Sequence, residues 1–528
     1  MPKLSRLEQL YPDSILDTRL LQSAGSQPSL LKRALGQLLP SARLREHEAV
    51  PDLFFAIDVD FTQPIFVGGG VAQFVKGWCY SQRSSIRSLQ LLVDGVPYPT
   101  ADHSQVRLDV FHSQCPTIDQ SGNSLLSGFY GVLPIKSISQ PRRVPLGLRA
   151  VLDDGSVMEQ IVDFLDLCPG AGVDPLTVQW ENPQQRVAIC MTTYNPPARL
   201  FTQQFKSIRE QTFSNWVCII SDDSSSPDSL SFIRKTIAED QRFILLENAE
   251  RLGFYRNFER CLKRVPADAD FVALSDQDDL WFPDKLETLA SDFQSDTQLV
   301  YSDMRIVTDD GRVISDTFWF GRKNNFTDLA TLIFANTITG AASMFRAALL
   351  PDLLPFPEPA VEFFHDHWLA LTALVHGSIR YVDRPLYDYY QHDRNIVGHR
   401  QWPRMPGVLG AVKAMVLSAR NPVKFQKTGR AILGEAFHIY PYLVHRSVIA
   451  QTLLLRQPET SRTKRAVLSR IAPFAFRLPP VFAEMLRATV ERRSSFALED
   501  FHLRGALGTR LWNYYFRSQK DRLFQQQL

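Results

Sequence analysis

The sequence predicts an α/β domain built on a parallel sheet, preceded by an all-β region and followed by a basic helical one. Three observations carry this expectation. From Val187 to Met304 short apolar runs alternate with helical stretches, and strands separated by helices of about 10–15 residues imply βαβ units. From Pro51 to Leu167 the apolar runs are shorter and follow one another with only turn signals between them, the texture of a small β-sandwich. From Gln401 onward 21 Lys and Arg stand against 7 Asp and Glu, spaced among Leu, Phe and Ala as on helices.

A chain of 528 residues exceeds one ordinary hydrophobic core, so several domains are expected. The boundaries read as a helical segment over 1–50, the β-sandwich-like domain over 51–170, the α/β domain over 183–400 and the basic helical region over 401–528. The composition is 45% hydrophobic and 22% charged, with 33 prolines and 26 glycines spread along the chain. That balance argues against long disordered tracts. None of the six cysteines forms a C-x-x-C pair, which fits reduced core residues. The amino-terminal residues lack the basic-then-apolar pattern of a secretory signal. No run of about 18 apolar residues occurs, and a cytoplasmic chain is the expectation.

The net charge of +2 hides an acidic first part and a basic tail. Such a tail expects an anionic partner. A membrane surface, met peripherally on the inner face, is one. Nucleic acid is not expected, because it leaves the acidic middle unexplained.

In chain order, the runs Leu53–Val59, Ile65–Cys79, Leu89–Val93, Val106–Phe111, Phe129–Ile135, Leu146–Leu152 and Val157–Phe164 read as strands, with turns at Asp94-Gly95, Ser121-Gly122 and Asp154-Gly155. Cys168–Gly172 reads as a linker. Strands then follow at Val187–Thr192, Trp216–Ser221, Phe243–Glu247, Phe271–Ser275 and Leu299–Met304. Helical patterns between them begin at Pro196-Pro197, Ser229, Tyr255 and Pro283. Ligands of such sheets bind beyond the carboxyl ends of the strands. The polar clusters lie there: Thr192-Thr193-Tyr194-Asn195, Ser221-Asp222-Asp223-Ser224-Ser225-Ser226, Asn248 with Arg251-Leu252-Gly253, and Asp276-Gln277-Asp278-Asp279.

Each cluster alone is ambiguous. A strand ending in Asp-Asp-Ser also caps a helix, and a lone D-x-D is often a solvated turn. Together they suit a nucleotide-sugar donor. A carboxylate such as Asp222 or Asp223 accepts from the imide N–H of uracil or thymine. A hard divalent cation held by carboxylates and phosphates neutralises the diphosphate as the sugar leaves. Asp276 and Asp278, two apart at a strand terminus, are the natural ligands or ribose contacts, and Asp279 is expected to cap the turn into Trp281. No G-x-G-x-x-G follows any strand, which disfavours a dinucleotide-binding dehydrogenase.

The run TTYN…SDDSSS…NAERLGFYRN…LSDQDDLWFPDKLE resembles the nucleotide-binding half of the family 2 glycosyltransferases of GT-A fold, and the resemblance extends over about Arg186–Gly398. It implies nucleotide-sugar contacts by Thr192, Tyr194, Asp222, Asp223, Arg251 and Asp276. It implies a divalent metal, Mn²⁺ or Mg²⁺, held by Asp276 and Asp278, with Asp278 the direct ligand. Thr337–Ala342 is similar to the acceptor-side segment, and Asp366 in Phe364-His365-Asp366-His367-Trp368 takes the place of the catalytic carboxylate, although a helix-capping role competes. His365 and His367 either orient Asp366 or pack.

Tyr387–Gly398 resembles the closing Y-R-Q-H-x-x-N-x-x-G motif of rhamnosyltransferase-like members. Tyr390 replaces the arginine there, and His392 is placed to complete the metal shell. The implied activity is metal-dependent, inverting transfer of a single sugar. Rhamnose is the first guess, moved from a dTDP- or UDP-sugar to a saccharide or lipid-linked acceptor in bacterial surface-polysaccharide synthesis. The Q-x-x-R-W signature of processive synthases is absent. The competing class is a catalytically inactive carbohydrate- or lipid-binding protein on a transferase fold.

Overall fold

A computed structural model describes residues 52–391, apart from 101, 171, 321, 322, 360 and 362, together with 441–472 and 498–527. The expected helical segment over 1–50 and the expected ligand His392 lie outside the described residues.

Nine strands occupy the β region: β1 (Leu53–Ile57), β2 (Ile65–Phe66), β3 (Gly70–Ser81), β4 (Ile86–Val93), β5 (Val96–Pro99), β6 (Asp102–Gln105), β7 (Gly128–Lys136), β8 (Arg142–Leu152) and β9 (Val157–Cys168). They form a sheet of order β1-β3-β7-β6 and another of order β2-β9-β8-β4-β5. Val71, Val75 and Leu133 of the first sheet share one apolar cluster with Leu91, Leu148 and Leu165 of the second. The strands alternate because one face of each sheet is buried.

Two local expectations change here. The run Ile65–Cys79 breaks into β2 and β3, since Gly68 and Gly70 adopt φ of 57° and 131°, values that end a strand and favour glycine. Val106–Phe111 is not a strand, because Leu108–Gln114 forms helix α1. Its neighbours Val110 and Phe111 are both buried, which an alternating strand with one covered face does not allow.

The α/β part follows in the order β10 (Val187–Thr193), α2 (Ala198–Arg209), β11 (Trp216–Asp222), α3 (Pro227–Ile237), β12 (Phe243–Glu247), α4 (Phe254–Leu262), β13 (Phe271–Ser275), β14 (Leu280–Trp281), α5 (Lys285–Ser291), β15 (Thr297–Thr308), β16 (Val313–Ser315), α6 (Leu329–Phe334), β17 (Ser343–Arg346), α7 (His365–His376) and β18 (Ser378–Gln391). The sheet order is β12-β11-β10-β13-β17-β15-β18-β14, with β16 on β15. Strands β10 to β13 pair in parallel. Beyond them the sheet is mixed rather than parallel, since β17 runs antiparallel between β13 and β15. Nearly every residue of β10 and β11 is buried, as in strands covered on both faces.

The described carboxyl-terminal helices are α8 (441–456), α9 (Arg462–Ile471) and α10 (Leu498–Gln527). Arg456 of α8 is 5% exposed. Its guanidinium donates to the carbonyls of Gly70, Asp352 and Pro355 at 2.7–2.8 Å. A buried guanidinium is tolerated only when its donors are so met, and these three bonds tie the β region to the α/β part. Among the described residues no helix is long and apolar enough to cross a membrane.

Candidate active site at the carboxyl edge of the parallel strands

The loops after β10, β11, β12 and β13 meet at one sheet edge and are stitched together by their own side chains. Asp222 is fully buried. Its oxygens accept from Thr193 Oγ1 at 2.8 Å and from the N–H and Oγ of Ser225 at 2.8 and 2.7 Å. This carboxylate therefore braces the β10 and β11 loops from beneath. Asp223, 4% exposed, accepts from the N–H groups of Leu252 and Gly253 at 2.6 and 2.9 Å. It anchors the loop that opens α4, where Gly253 takes φ 78°.

Asp223 also draws Arg251 in, with Nε 4.0 Å from Oδ2. The Arg251 guanidinium lies 4.0 Å from the centroid of the half-exposed Tyr194 ring. Tyr194 and Arg251 are thus stacked on each other and present a flat, cationic face beside Asp223, on which a nucleobase can lie. Thr192 is partly exposed at the end of β10. Gln277, the middle residue of the D-x-D, accepts from the Tyr194 N–H at 2.8 Å, so the flat face and the acidic motif share one brace.

Asp276 and Asp278 emerge just past β13 and are partly exposed. Burial, then the charges of Asp278 and Asp366, push the Asp276 carboxyl up to about 7. A carboxyl raised by the charges of neighbouring acids marks a place where a cation is favoured. Among the described residues no three His, Cys, Asp or Glu side chains converge as a complete metal shell. Two carboxylates with a donor's phosphates nonetheless suit Mg²⁺ or Mn²⁺, and the residues present fit such an ion.

Asp279 does not cap the turn. It is fully buried, and helix α5 opens instead after Asp284. Burial and the charges of Asp276 and Asp278 hold Asp279 well above the usual carboxylate range, with Lys285 opposing. Lys285 is itself fully buried. Its Nζ donates to the Ala341 carbonyl at 2.5 Å and lies 3.8 and 4.4 Å from the ring centroids of Trp281 and Tyr387. Burial pulls its pKa well down, against the pull of Asp279 and Asp276.

Asp366 stands in the first turn of α7, whose N-cap is Phe364 with no side-chain cap. Asp366 is therefore not the cap. Asn336 Nδ2 donates to its Oδ1 at 3.0 Å and the Gly340 N–H to its Oδ2 at 3.3 Å. Burial pushes its pKa up to about 7, although the N–H groups of Gly340 and His367 pull the other way. The flanking histidines pack rather than orient it. His365 stacks on Phe258 with centroids 3.7 Å apart, and His367 Nε2 donates to the Leu332 carbonyl at 2.6 Å.

A Cβ on Gly340 would lie 2.7 Å from His365 Nε2, so the turn before β17 touches α7 only because residue 340 has no side chain. Gly340→Ala is expected to cost about 1–3 kcal/mol by overpacking and to lower kcat by displacing the donor to Asp366. Thermal melting and initial rates check both effects.

The site also contains residues that sequence reasoning passed over. Gln277 was only the spacer of its motif, Lys285 only one residue of the helical pattern that begins at Pro283, and Asn336 lay outside every motif. Asn336 reaches Asp366 across 30 positions, and no local pattern announces that contact.

A mixed sheet carrying a flat Arg251–Tyr194 face, paired carboxylates and the partly buried Asp366 at its parallel edge is the arrangement that the resemblance to GT-A glycosyltransferases leads one to expect. Residues 188–354 match the model of the family described as Glycosyl transferase family 2. Among curated relatives, an uncharacterized glycosyltransferase of Methanocaldococcus jannaschii is 24% identical over 191 residues, 35% of this chain and 64% of that one. The UDP-Glc:alpha-D-GlcNAc-diphosphoundecaprenol beta-1,3-glucosyltransferase WfgD of Escherichia coli is 28% identical over 200 residues, 37% of this chain and 73% of that one. The dTDP-rhamnosyl transferase RfbG of Shigella flexneri is 26% identical over 223 residues, 39% of this chain and 73% of that one. For two further relatives the chain spans only 14% and 37% of their length.

Proposed function

We propose that the chain is a metal-dependent, inverting glycosyltransferase that moves a single sugar from a UDP- or dTDP-sugar to a hydroxyl of a saccharide or lipid-linked acceptor in surface-polysaccharide synthesis. One observation carries the reading: the flat Tyr194–Arg251 face, the D-x-D and Asp366 gather on one edge, with Gln277 joining the first two and Asn336 holding Asp366. The names of WfgD and RfbG support a nucleotide-sugar donor. Rhamnose follows from RfbG and the closing motif, and a diphospholipid acceptor from WfgD.

The chemistry assigns each residue a task. The stacked Arg251–Tyr194 pair offers the base a flat face, with Asp223 fixing Arg251 and its loop, and Asp222 supporting both from below. Thr192 lines the nucleoside. Asp276 and Asp278 would hold a divalent cation, which, when bound, offsets the charge of the leaving diphosphate. Asp366 takes the proton of the acceptor hydroxyl as its oxygen bonds to the anomeric carbon and the nucleoside diphosphate departs. A carboxyl raised toward neutrality is suited to that task.

The domain reading belongs to the same proposal: a β-sandwich module over 51–170, the transferase over 183–400 and a helical region after it. A membrane surface is not assigned to α10. Its Trp512, Phe516 and Phe524 pack on Val106, Phe111 and Leu125 of the β region, and an interfacial helix needs that apolar face for lipid.

Calorimetric titration with UDP and dTDP, with and without Mn²⁺, tests the reading on wild type and Asp278→Ala. Metal-dependent binding that weakens at least tenfold in the variant is the expected result. Absence of binding by either nucleotide with Mn²⁺ present would instead favour a transferase fold that binds carbohydrate or lipid without catalysis.

A further inference from the structure

A cavity of about 450 Å³ lies away from the D-x-D edge, between the β region and helix α10, and is lined by Arg87, His103, Arg517 and Lys520 among others. A smaller one of about 220 Å³ shares His103, Ser104 and Arg517 with it and adds Arg510 and Tyr514. Together they form one recess, within the roughly 300–1,000 Å³ usual for small-ligand sites.

The walls of the recess are fixed. Phe516 of α10 is buried against Phe111 and Leu125. Val106 N–H donates to Asn513 Oδ1 at 3.2 Å, and Lys520 Nζ donates to Asn123 Oδ1 at 2.5 Å. The helix is thereby held at a set height above the sheet.

Charge is the unusual feature of this recess. Arg87, Arg510 and Arg517 make no ion pair with any described residue. Elsewhere arginines of the β region do pair, as Arg107 does with Asp58 and Asp109. Three acids approach the recess, one of them Asp521 beside Lys520. Asp119 spends its oxygens on Ser121 and on the Ser124 N–H at 2.7–3.0 Å, and the exposed Asp153 is the lone carboxylate of the lining. Among the ion pairs of the described residues the excess positive charge therefore has no partner. Burial, and then the charge of Arg517, hold the His103 ring below its ordinary value, although its bond to the Arg87 carbonyl opposes them.

The remaining lining narrows the ligand. Ser85 and Ser104 add hydroxyls, and the Tyr514 ring is 73% exposed on the rim, a flat apolar face of the kind on which sugar rings stack. A recess of this size admits one or two sugar rings but not a nucleic-acid helix.

We propose that this recess is a second ligand site, distinct from the transferase centre, which binds an anionic saccharide such as a sugar phosphate. The arginines take the anionic group through paired N–H donors, and Tyr514 with the serine hydroxyls takes the ring. An enzyme of this class meets such saccharides as growing glycans, and a site on the β region would hold a chain near the domain that extends it.

The test is calorimetric titration of glucose 1-phosphate into the full chain, with and without UDP and Mn²⁺ to fill the transferase site. Saturable binding that persists with UDP present is expected. It should weaken at least tenfold in the double variant Arg87→Ala/Arg517→Ala and in Arg517→Glu, while the UDP affinity and melting temperature stay unchanged. Both arginines are exposed, so the fold does not depend on them. Glucose should bind far more weakly than its phosphate. Loss of the signal on adding UDP, or affinity unaltered by the arginine variants, would overturn the site. Inorganic phosphate binding as tightly as glucose 1-phosphate would overturn its saccharide character, and tighter Arg517-dependent binding of poly(U) would reassign it to single-stranded nucleic acid. UDP binding is read separately, so failure of either site leaves the other's result intact.

Discussion

Asp366→Asn is expected to lower kcat by about 10²–10⁴-fold, the range contributed by a positioned general base, while the affinity for nucleotide changes little. The substitution keeps the shape of the side chain between Asn336 and Gly340 but cannot accept the acceptor's proton. In wild type, burial places the Asp366 carboxyl at about 7. The ionised form is the base, so kcat should rise with pH through that region and level off above it, and this limb should vanish in the variant. Single-turnover rates from pH 5.5 to 8.5 with saturating donor check the prediction. A variant retaining the wild-type rate and profile would remove Asp366 from the reaction.

The stability consequence has the opposite sign. Asp366 has a folded-state pKa raised above its unfolded value, so its contribution is fully present below about pH 4 and is lost as pH rises through about 7. At the pH where the base works, the fold carries the cost of a buried charge, a common pattern at sites where function competes with stability.

Lys285→Met should destabilise the fold by about 1–3 kcal/mol, the cost of leaving the buried Ala341 carbonyl without its donor. Methionine keeps the apolar stem between Trp281 and Tyr387. It removes the bond to Ala341 and the positive charge opposing those of Asp279 and Asp276. Urea denaturation measures the loss. The double variant Lys285→Met/Asp279→Asn should recover part of it, since the amide has no charge for the lost ammonium to oppose. If the two single losses simply add, the two groups are not coupled.

Much of the transferase part was legible because its residues are locally consistent. Phe243–Glu247 and Phe271–Ser275 were read to the residue, since short apolar runs bounded by polar loops leave few alternatives. The polar motifs fell on the predicted edge because strand direction alone puts them there. The sheet beyond β13 was not legible. The pairing of β15 with β18 joins Thr297 to Ser378 and Thr308 to Gln391, and nothing in either segment encodes a partner so distant. In the same way, Asp222 and Asp223 were read as acceptors for a base because sequence gives a carboxylate's presence but not what already bonds to it. Their oxygens turn out to be largely engaged by Thr193, Ser225, Leu252 and Gly253. Helix α1 was missed because seven residues give too little periodicity to set against a strand.

The seating of α10 on the β region also sets an order on synthesis. Phe111, Cys115 and Leu125 find their cover in Phe516, and Val106 meets Asn513 across 407 positions. At about 5–20 residues per second, a ribosome needs on the order of 20–80 s to pass from one set to the other. During that interval the β region can complete its two sheets, but the apolar side of α1 stays wet and exposed to chaperones. The nascent chain thus carries a timer, stopped only when residues near 516 emerge.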